Sequence, residues 1–427
     1  MTERDPGDEE PRADDRAGAD SPLAGLRVID LTRALAGPYC TLLLAGLGAE
    51  VIKIEDPDGG DVSRGNAPYV GPDGLGLTPA GPDDFSLAVL TRCRGKESVT
   101  LNLKHPDAPG VFSDLVRHAD VVVENFSAGT ADRLGVGYGA ARAANPRIVY
   151  CSISGFGQDG GSGVRAMDAI VQALSGLMMA SGGAEDPPVR VGVPVADVIT
   201  PLYAVIGILA ALHRRQETGS GEHVDVSMLG TLTSLVATED WEALERLGQP
   251  LRTGPRLPRL APFGLYRAND GWFALVAPQD KLVASTFEVM GRPDLRGDPR
   301  YATRDARVRH AEELTAEIEA WSGQLSVEAV VEALVAVGVP AAEVRTPMEG
   351  IADERVLARG ETLPVLHPTL GEIGGLRTAG LPITFAEARR PRLPAAPRLG
   401  EHTEETLARV AGYAPAEIAD LRARGVL

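Results

Sequence analysis

The chain has 427 residues, of which 44% are hydrophobic and 24% are charged, a composition that predicts a folded protein with a sizeable core. Its net charge of −17 argues against nucleic acid or an anionic membrane surface as a general partner. The three cysteines, Cys40, Cys93 and Cys151, are far apart and form no CxxC pair, so the pattern indicates neither a disulfide framework nor a zinc site.

The beginning of the chain is acidic and rich in Pro, Gly and Asp, without a hydrophobic run. This composition predicts a disordered tail over residues 1–21 rather than a signal peptide. The longest apolar run, residues 198–212, contains Pro201 and is shorter than the roughly 20 residues that a membrane span needs. We therefore expect a cytoplasmic protein that does not bind membranes.

The first part of the ordered sequence alternates between strand and helix patterns. Buried strands are predicted at 26–31 and 50–55 with a helix at 38–47 between them, which is a βαβ unit and indicates a parallel α/β sheet. The alternation continues with strands at 98–103, 120–124 and 147–154 and helices at 109–118 and 138–144. The turn after the first strand reads TRALAGP, so the dinucleotide fingerprint GxGxxG is absent.

The second part of the chain predicts a further, smaller domain. Apolar helices at 168–180 and 198–215 precede a strand at 224–227, and a hairpin follows around the turn Asn269-Asp270-Gly271. Amphipathic helices at 403–411 and 416–424 end the chain. We predict a large α/β domain over 22–240, a small α+β domain with its linkers over 241–340, and a return to the large domain over 341–427.

One carboxylate, Asp197, interrupts the apolar stretch from Val191 to Leu212. An ionised carboxylate in apolar surroundings costs several kcal/mol unless something compensates it. Aspartate is a favoured N-cap residue, so capping of the helix that follows is one interpretation. A catalytic carboxylate is the other, and the residues alone leave both open.

Several stretches, in the same order along residues 22–427, resemble the family III CoA-transferases, the CaiB/BaiF family. This family includes formyl-CoA transferase, carnitine CoA-transferase and the α-methylacyl-CoA racemases. The stretches include PLAGLRVIDLTRALAGPYC, LGAEVIKIEDP, RGKESVTLNLK, DVVVENFSAGTADRLGVGY and LGEHTEETL. The resemblance implies a large Rossmann-like parallel-sheet domain built from both chain ends, a smaller domain, and an interlocked homodimer.

The resemblance places the family's catalytic aspartate on Asp197. Such a carboxylate attacks the acyl-CoA carbonyl to form a mixed anhydride, and the released thiolate then converts the anhydride to an aspartyl-CoA thioester. Helix N-terminal amides favour the anionic form, and apolar walls limit hydrolysis. The implied reaction transfers CoA from an acyl-CoA donor to a carboxylic acid, with CoA as substrate, no tightly bound cofactor and no metal.

The CoA phosphates require basic residues, and the resemblance supplies a set of positions. The expected CoA-binding residues are Leu101, Lys104, Asn125, Phe126, Arg133, Arg165, Met167 and Asp168. Asp56 stands where relatives often carry a nucleotide-contacting arginine, which leaves Lys53 or Arg64 as the replacement. Leu35 stands where formyl-CoA transferase has glutamine, so the sequence does not support formyl or oxalate chemistry.

Alternatives to the transferase remain. Racemases of this family carry a histidine directly before the aspartate that matches Asp168, and Met167 cannot titrate as that histidine does. This difference favours a transferase over an acyl-CoA racemase or epimerase. A non-catalytic CoA-binding protein of the same fold is the other alternative. Asp168 itself is expected to cap the 168–180 helix.

Overall fold

The structure is a computed structural model that describes residues 20–160, 165–257 and 259–427. The acidic tail predicted over 1–21 falls outside the described residues except for its last two positions.

The described residues form strands and helices with the following bounds. The strands are β1 Arg27–Asp30, β2 Glu50–Glu55, β3 Tyr69–Gly71, β4 Gly74–Gly76, β5 Phe85–Ser86, β6 Lys96–Thr100, β7 Val121–Glu124, β8 Val149–Ser154, β9 Glu222–Ser227, β10 Phe263–Arg267, β11 Trp272–Val276, β12 Ala341–Glu343, β13 Thr362–His367 and β14 Gly371–Ala379. The helices are α1 Ala36–Gly46, α2 Leu87–Arg92, α3 Ala108–Val116, α4 Thr130–Arg133, α5 Tyr138–Ala144, α6 Asp168–Leu174, α7 Leu177–Ala180, α8 Val195–Thr218, α9 Met228–Val236, α10 Trp241–Arg246, α11 Asp280–Val289, α12 Arg304–Arg309, α13 Ala311–Ser322, α14 Val327–Ala336, α15 Pro347–Ile351, α16 Glu354–Ala358, α17 Thr403–Ala411 and α18 Pro415–Ala423.

A six-stranded parallel sheet with the order β6-β2-β1-β7-β8-β9 confirms the predicted α/β class. Ile29 in the central strand pairs with Ile52 on one side and Val122 on the other, and all three are fully buried. Continuous Val and Ile runs of this kind are typical of parallel strands whose two faces are both covered. The predicted strands lie within a few residues of the observed ones.

The residues divide into two compact units. Of the described residues, the first unit contains those up to Val171 together with those in 193–232 and 354–427, and the second contains those in 172–192 and 233–353. In the first unit, the C-terminal helices α17 and α18 contribute Leu407 and Ile418 to the same core as Ile29 and Phe112. Both ends of the described chain therefore build one hydrophobic core.

The second unit has its own core. The antiparallel pair β10–β11 forms the predicted hairpin, and β12 extends it to three strands. Phe273, Phe287 and Leu334 pack together there and are at most 1% exposed. The bounds of this unit differ from the single segment predicted over 241–340.

Two helix predictions need correction near the apolar stretch. The helix expected over 168–180 is interrupted, because Gly176 between α6 and α7 has φ = +84°, a conformation that glycine adopts at little cost. Helix α8 begins at Val195, earlier than expected, so Asp197 lies inside its first turn. Pro201 lies within the same helix and has no N–H to bond the Asp197 carbonyl.

Helix α8 is, among the described residues, the one helix long and apolar enough to cross a membrane. Core helices of globular proteins pass the same test, and α8 packs against α1, β8 and β9.

Candidate active site

The parallel sheet has a topological switch point between β1 and β7. From β1 the chain continues to β2 and β6 on one side, and it then returns to β7 on the other side. Ligands of open α/β sheets bind at the carboxyl ends of the strands beside such a point. Here the loop after β1, residues 31–35, and the loop after β7, residues 125–129, lie at that edge. The fold thus indicates the same region as the sequence motifs.

Asn125 joins these two loops through its side chain. Its Oδ1 accepts from the Arg33 N–H at 2.8 Å, and its Nδ2 donates to the Arg33 carbonyl at 2.9 Å. The buried Glu124 accepts from the Phe126 N–H at 2.7 Å, which fixes the start of the second loop. Burial raises the pKa of Glu124 to about 7. Asn125 therefore holds the rim of the site, a role that a binding motif alone does not reveal.

A small cavity of about 60 Å³ brings three predicted residues together. Leu101, Lys104 and Phe126 line it, and Arg33 and Asp56 complete its polar rim. Lys104 is 80% exposed, and its Nζ lies 3.8 Å from the Asp56 carboxylate. Asp56 therefore offsets one positive charge at this position, and Arg33 supplies another.

Neither replacement expected for the missing family arginine lines this cavity. Lys53 is 1% exposed and forms an ion pair with Asp61 at 2.8 Å, so it cannot reach a ligand at the surface. Arg64 forms an ion pair with Glu55 at 2.7 Å. Arg33 is the exposed cation that the sequence reasoning missed. Its position directly after the first strand, at the switch point, was the available signal.

Arg133 and Arg165 are not residues of this cavity. Arg133 is exposed and donates to the Thr130 hydroxyl at 2.6 Å within α4, although the next residue, Leu134, lines the cavity. Arg165 is exposed and Met167 is 70% exposed, in the segment that leads into α6. Their predicted roles in CoA binding stay predictions.

Asp197 is half-buried in the first turn of α8, where the helix dipole favours a carboxylate. Burial and the nearby Asp168 carboxylate raise its pKa to about 6, although the charge of Arg92 acts in the opposite direction. Pro194, not Asp197, holds the N-cap position. The capping interpretation of Asp197 is therefore wrong, and its carboxylate makes no hydrogen bond to any described residue.

Asp168 caps a helix other than the predicted one. Its Oδ1 accepts from the N–H of Ala196, the second residue of α8, at 2.8 Å. Asp168 is itself the first residue of α6, one position after the expected N-cap. Its carboxylate instead positions the helical turn that carries Asp197.

Arg92 connects the Asp197 region to the loop after β1. Its guanidinium donates to the Ala34 carbonyl at 3.1 Å, and the Ala34 N–H donates to Asp61 at 3.0 Å. Ala34 has φ = +66°, a left-handed conformation that is uncommon for a residue other than glycine. The loop that presents Arg33 to the cavity is thus held by Asn125, Asp61 and Arg92.

A buried ionic network lies beneath this loop. Lys96 pairs with Asp30 at 3.0 Å, both fully buried, and Lys53 donates to the Thr32 carbonyl at 2.7 Å. Although burial raises the pKa of Asp30, Lys53 and Lys96 together lower it to about 2. These charges are compensated within the network. The described residues include no cluster of His, Cys, Asp and Glu side chains that could hold a metal ion.

Comparison with known proteins adds relatives of established activity. The model of the family "CoA-transferase family III" matches residues 23–403. The chain is 37% identical to a succinyl-CoA:mesaconate CoA-transferase of Haloarcula marismortui over 90% of this chain and 95% of the relative. It is 34% identical to a succinate–glutarate CoA-transferase of Agrobacterium fabrum over 91% and 95% of the two chains. An acetyl-CoA:oxalate CoA-transferase of Acetobacter aceti is 38% identical over 89% of this chain and 93% of its own.

Solved structures agree with the fold. A CaiB/BaiF family protein from Brucella suis superposes with a TM-score of 0.78 and 31% identity, covering 92% of this chain and all of that one. Rv3272 from M. tuberculosis gives a TM-score of 0.76 and 28% identity, covering 90% and 98%.

Proposed function

The chain belongs to CoA-transferase family III, and we propose that it moves CoA between its substrates through covalent intermediates on Asp197. The enzyme transfers CoA between an acyl-CoA and a carboxylate, as its relatives do.

The proposed sequence of steps is redox-neutral and returns Asp197 unchanged. The Asp197 carboxylate attacks the thioester carbonyl, and the carbon–sulfur bond breaks to release CoA thiolate and a mixed anhydride. The thiolate attacks the aspartyl carbonyl, releases the donor acid as carboxylate and leaves an aspartyl-CoA thioester. The acceptor carboxylate displaces the thiolate to form a second anhydride. The thiolate then attacks the acceptor's acyl carbonyl and regenerates Asp197.

The state of the Asp197 carboxylate is the observation that carries this proposal. A pKa of about 6 leaves the group ionised at neutral pH but more basic than an ordinary aspartate, which suits a nucleophile. Partial burial in an apolar helix reduces the access of water to the anhydride. Arg92 provides a positive charge that can balance the carboxylate of an incoming acid.

The CoA site proposed for this enzyme is the edge of the sheet that carries the small cavity. Leu101 and Phe126 supply apolar contacts, and Lys104 supplies a phosphate contact. Arg33 is added to the predicted set because it is exposed at the same rim. Asn125 positions this rim, and Arg133, Arg165 and Met167 complete the proposed set. CoA is bound as substrate, without a tightly held cofactor.

The proposed acceptors are short dicarboxylic acids. The relatives are named for succinate with mesaconate, succinate with glutarate, and oxalate, and Leu35 argues against oxalate among these acids. A second carboxylate on the acid needs a cation near Asp197, and Arg92 fills this role in the proposal. Turnover of succinyl-CoA with monocarboxylic acceptors only would contradict this assignment.

The proposed assembly is a cytoplasmic homodimer. Helix α8 exposes Leu202, Tyr203, Ile206 and Leu209, which follow one helical face and are 36–62% exposed. A contiguous apolar stripe of this kind marks an interaction surface, and a second copy of the chain is the proposed cover. Sedimentation equilibrium on the full chain should give the mass of a dimer, and the mass of a monomer would contradict this assembly.

Trapping of the intermediate tests the nucleophile. Incubation with succinyl-CoA should add the mass of CoA less one water, and peptide mapping should locate the adduct on Asp197. Asp197→Asn should abolish the adduct and the activity, whereas Asp168→Asn, the matched control, should retain the adduct. An adduct that persists in Asp197→Asn would contradict the proposal.

The same protein can be tested for the two alternative functions. Exchange of the substrate's α-proton for deuterium without CoA transfer would identify a racemase. CoA binding with neither deuterium exchange nor CoA transfer would indicate a non-catalytic protein.

A further inference from the structure

The first unit contains a further cavity, whose lining does not include Asp197. It has a volume of about 420 Å³ and opens between α1 and the β13–β14 hairpin, with residues 381–393 along one side. We call it the hairpin cavity. Its volume falls within the roughly 300–1,000 Å³ of small-molecule sites. Its apolar wall consists of Leu42, Leu43, Leu363, Leu366, Leu381 and Leu393.

Arg94 lines the hairpin cavity and is 7% exposed. Its guanidinium donates to the Thr91 carbonyl at 2.7 Å, to the Thr378 hydroxyl at 2.8 Å and to the Ala379 carbonyl. Its Nε–H is buried and has no hydrogen-bond partner among the described residues. An unsatisfied buried donor is unusual in a native protein.

The charge of Arg94 is also uncompensated. All its hydrogen-bond acceptors are neutral, and the described part of the chain places no carboxylate in an ion pair with it. Burial lowers its pKa to about 10. The buried cations Lys53 and Lys96 of the same unit, by contrast, each have an aspartate partner. A buried charge without a partner is strongly destabilising, so Arg94 is suited to an anion that arrives from outside.

The rim of the hairpin cavity is cationic although the chain as a whole is acidic. Arg390 donates to the carbonyls of Leu381 and Arg359, and Arg392 lies 3.9 Å from the Glu372 carboxylate. With Arg94, three arginines and one glutamate line the cavity, a local charge of +2 in a chain of net charge −17. This local field favours a small anion.

We propose that the hairpin cavity binds a carboxylic acid with a short apolar chain, whose carboxylate pairs with Arg94 and whose hydrocarbon chain packs against the leucine wall. A carboxylate beside the guanidinium compensates the buried charge of Arg94. The leucines select for apolar chain length rather than for a second carboxylate. The ligand class therefore differs from the dicarboxylates proposed as acceptors at Asp197.

Binding of sodium hexanoate, measured by isothermal titration calorimetry on the full chain, tests this site. Each buried methylene contributes about 0.8 kcal/mol, so hexanoate should bind roughly tenfold more tightly than butanoate. 1-Hexanol, which lacks the carboxylate, should bind about tenfold or more weakly than hexanoate.

Gly46→Leu fills the cavity without touching Arg94. A Cβ at Gly46, the last residue of α1, meets only Leu381 atoms at 3.7 and 3.9 Å, which is ordinary contact, so the variant should fold. Gly139→Leu is the matched control, because Gly139 lies on α5 with nothing within 4 Å of an added Cβ. Hexanoate affinity should fall at least about tenfold in Gly46→Leu and in Arg94→Gln and stay unchanged in Gly139→Leu.

Three outcomes would overturn the proposal. One is the absence of hexanoate binding to the wild type at 10 mM. Another is equal binding in Gly46→Leu and wild type, which would place the ligand elsewhere, for example at Asp197 as an acceptor. The third is equal hexanoate affinity in Arg94→Gln and wild type, which would show that the carboxylate does not pair with Arg94.

Discussion

Replacement of Asp168 by asparagine should move the acidic limb of the rate profile to lower pH. In the proposed mechanism only the ionised Asp197 carboxylate attacks the thioester, so kcat/KM for the donor should rise with pH through the pKa of Asp197 and then level off. With that pKa at about 6, about nine-tenths of Asp197 is ionised at pH 7 and about one-tenth at pH 5. The wild-type rate at pH 5 should therefore be about one-tenth of its rate at pH 7.

The substitution removes a charge and keeps the hydrogen bond. The asparagine Oδ1 can still accept from the Ala196 N–H, so the first turn of α8 keeps its position. Because the negative charge of Asp168 raises the pKa of Asp197, its loss lowers that pKa. The rate of Asp168→Asn at pH 5, relative to its own plateau, should therefore exceed one-tenth. Arg92→Met removes a charge that lowers the same pKa, and its limb should move to higher pH.

The assay is kcat/KM for succinyl-CoA between pH 5 and pH 8, at constant ionic strength. The 3′-phosphate of CoA also titrates near pH 6, but it does so in the same way for every variant. Only the difference between variants reports on Asp197. If the acidic limbs of the kcat/KM profiles of wild type, Asp168→Asn and Arg92→Met have the same midpoint pH, the assigned environment of Asp197 is refuted. A wild-type midpoint near pH 4 would refute it as well.

The remaining predictions concern the CoA rim and the buried network. Arg33→Ala should raise KM for succinyl-CoA about tenfold with little change in kcat, because it removes a proposed contact that is equally strong in the ground state and the transition state. Succinyl-pantetheine lacks the nucleotide, so an equal rise in KM for this substrate would contradict a phosphate contact. Lys53→Met should lower the free energy of unfolding in urea by about 3–5 kcal/mol, because it leaves Asp61 buried without its cation. Lys104→Met, at an 80% exposed side chain, is its control and should stay within about 0.5 kcal/mol of wild type.

Periodicity and residue type carry most of the information about the parallel sheet. Strands β1 and β2 are short runs of Val and Ile, and a helix of suitable length separates them, so the βαβ unit follows from local sequence. The interruption at Gly176 could not be predicted in the same way. Its positive φ depends on the tertiary course of the chain, and the sequence on both sides of it remains helical in character.

The candidate active-site residues also differ in how far the sequence alone could predict them. Asp197 was found because a lone carboxylate in an apolar run is conspicuous, and the resemblance to a family then gave it a role. Arg92 gave no such signal, since it ends a short helix that is distant in sequence and acts on Asp197 only through space. Asp168 was assigned to its own helix, because the N–H that it binds lies 28 residues further along the chain.

The arrangement of the two aspartates favours Asp197 over Asp168 as the proposed nucleophile. Asp168 uses an oxygen to accept the Ala196 N–H, so attack by that oxygen would break the bond that positions α8. Asp197 makes no hydrogen bond to a described residue, so its attack sacrifices no native contact. The negative charge of Asp168 makes Asp197 more basic, and hence a stronger nucleophile, while Arg92 keeps it ionised at neutral pH. One carboxylate thus acts as the positioning group and raises the reactivity of the other, which is why a substitution at Asp168 should alter the pH dependence of the reaction, whereas a substitution at Asp197 should abolish it.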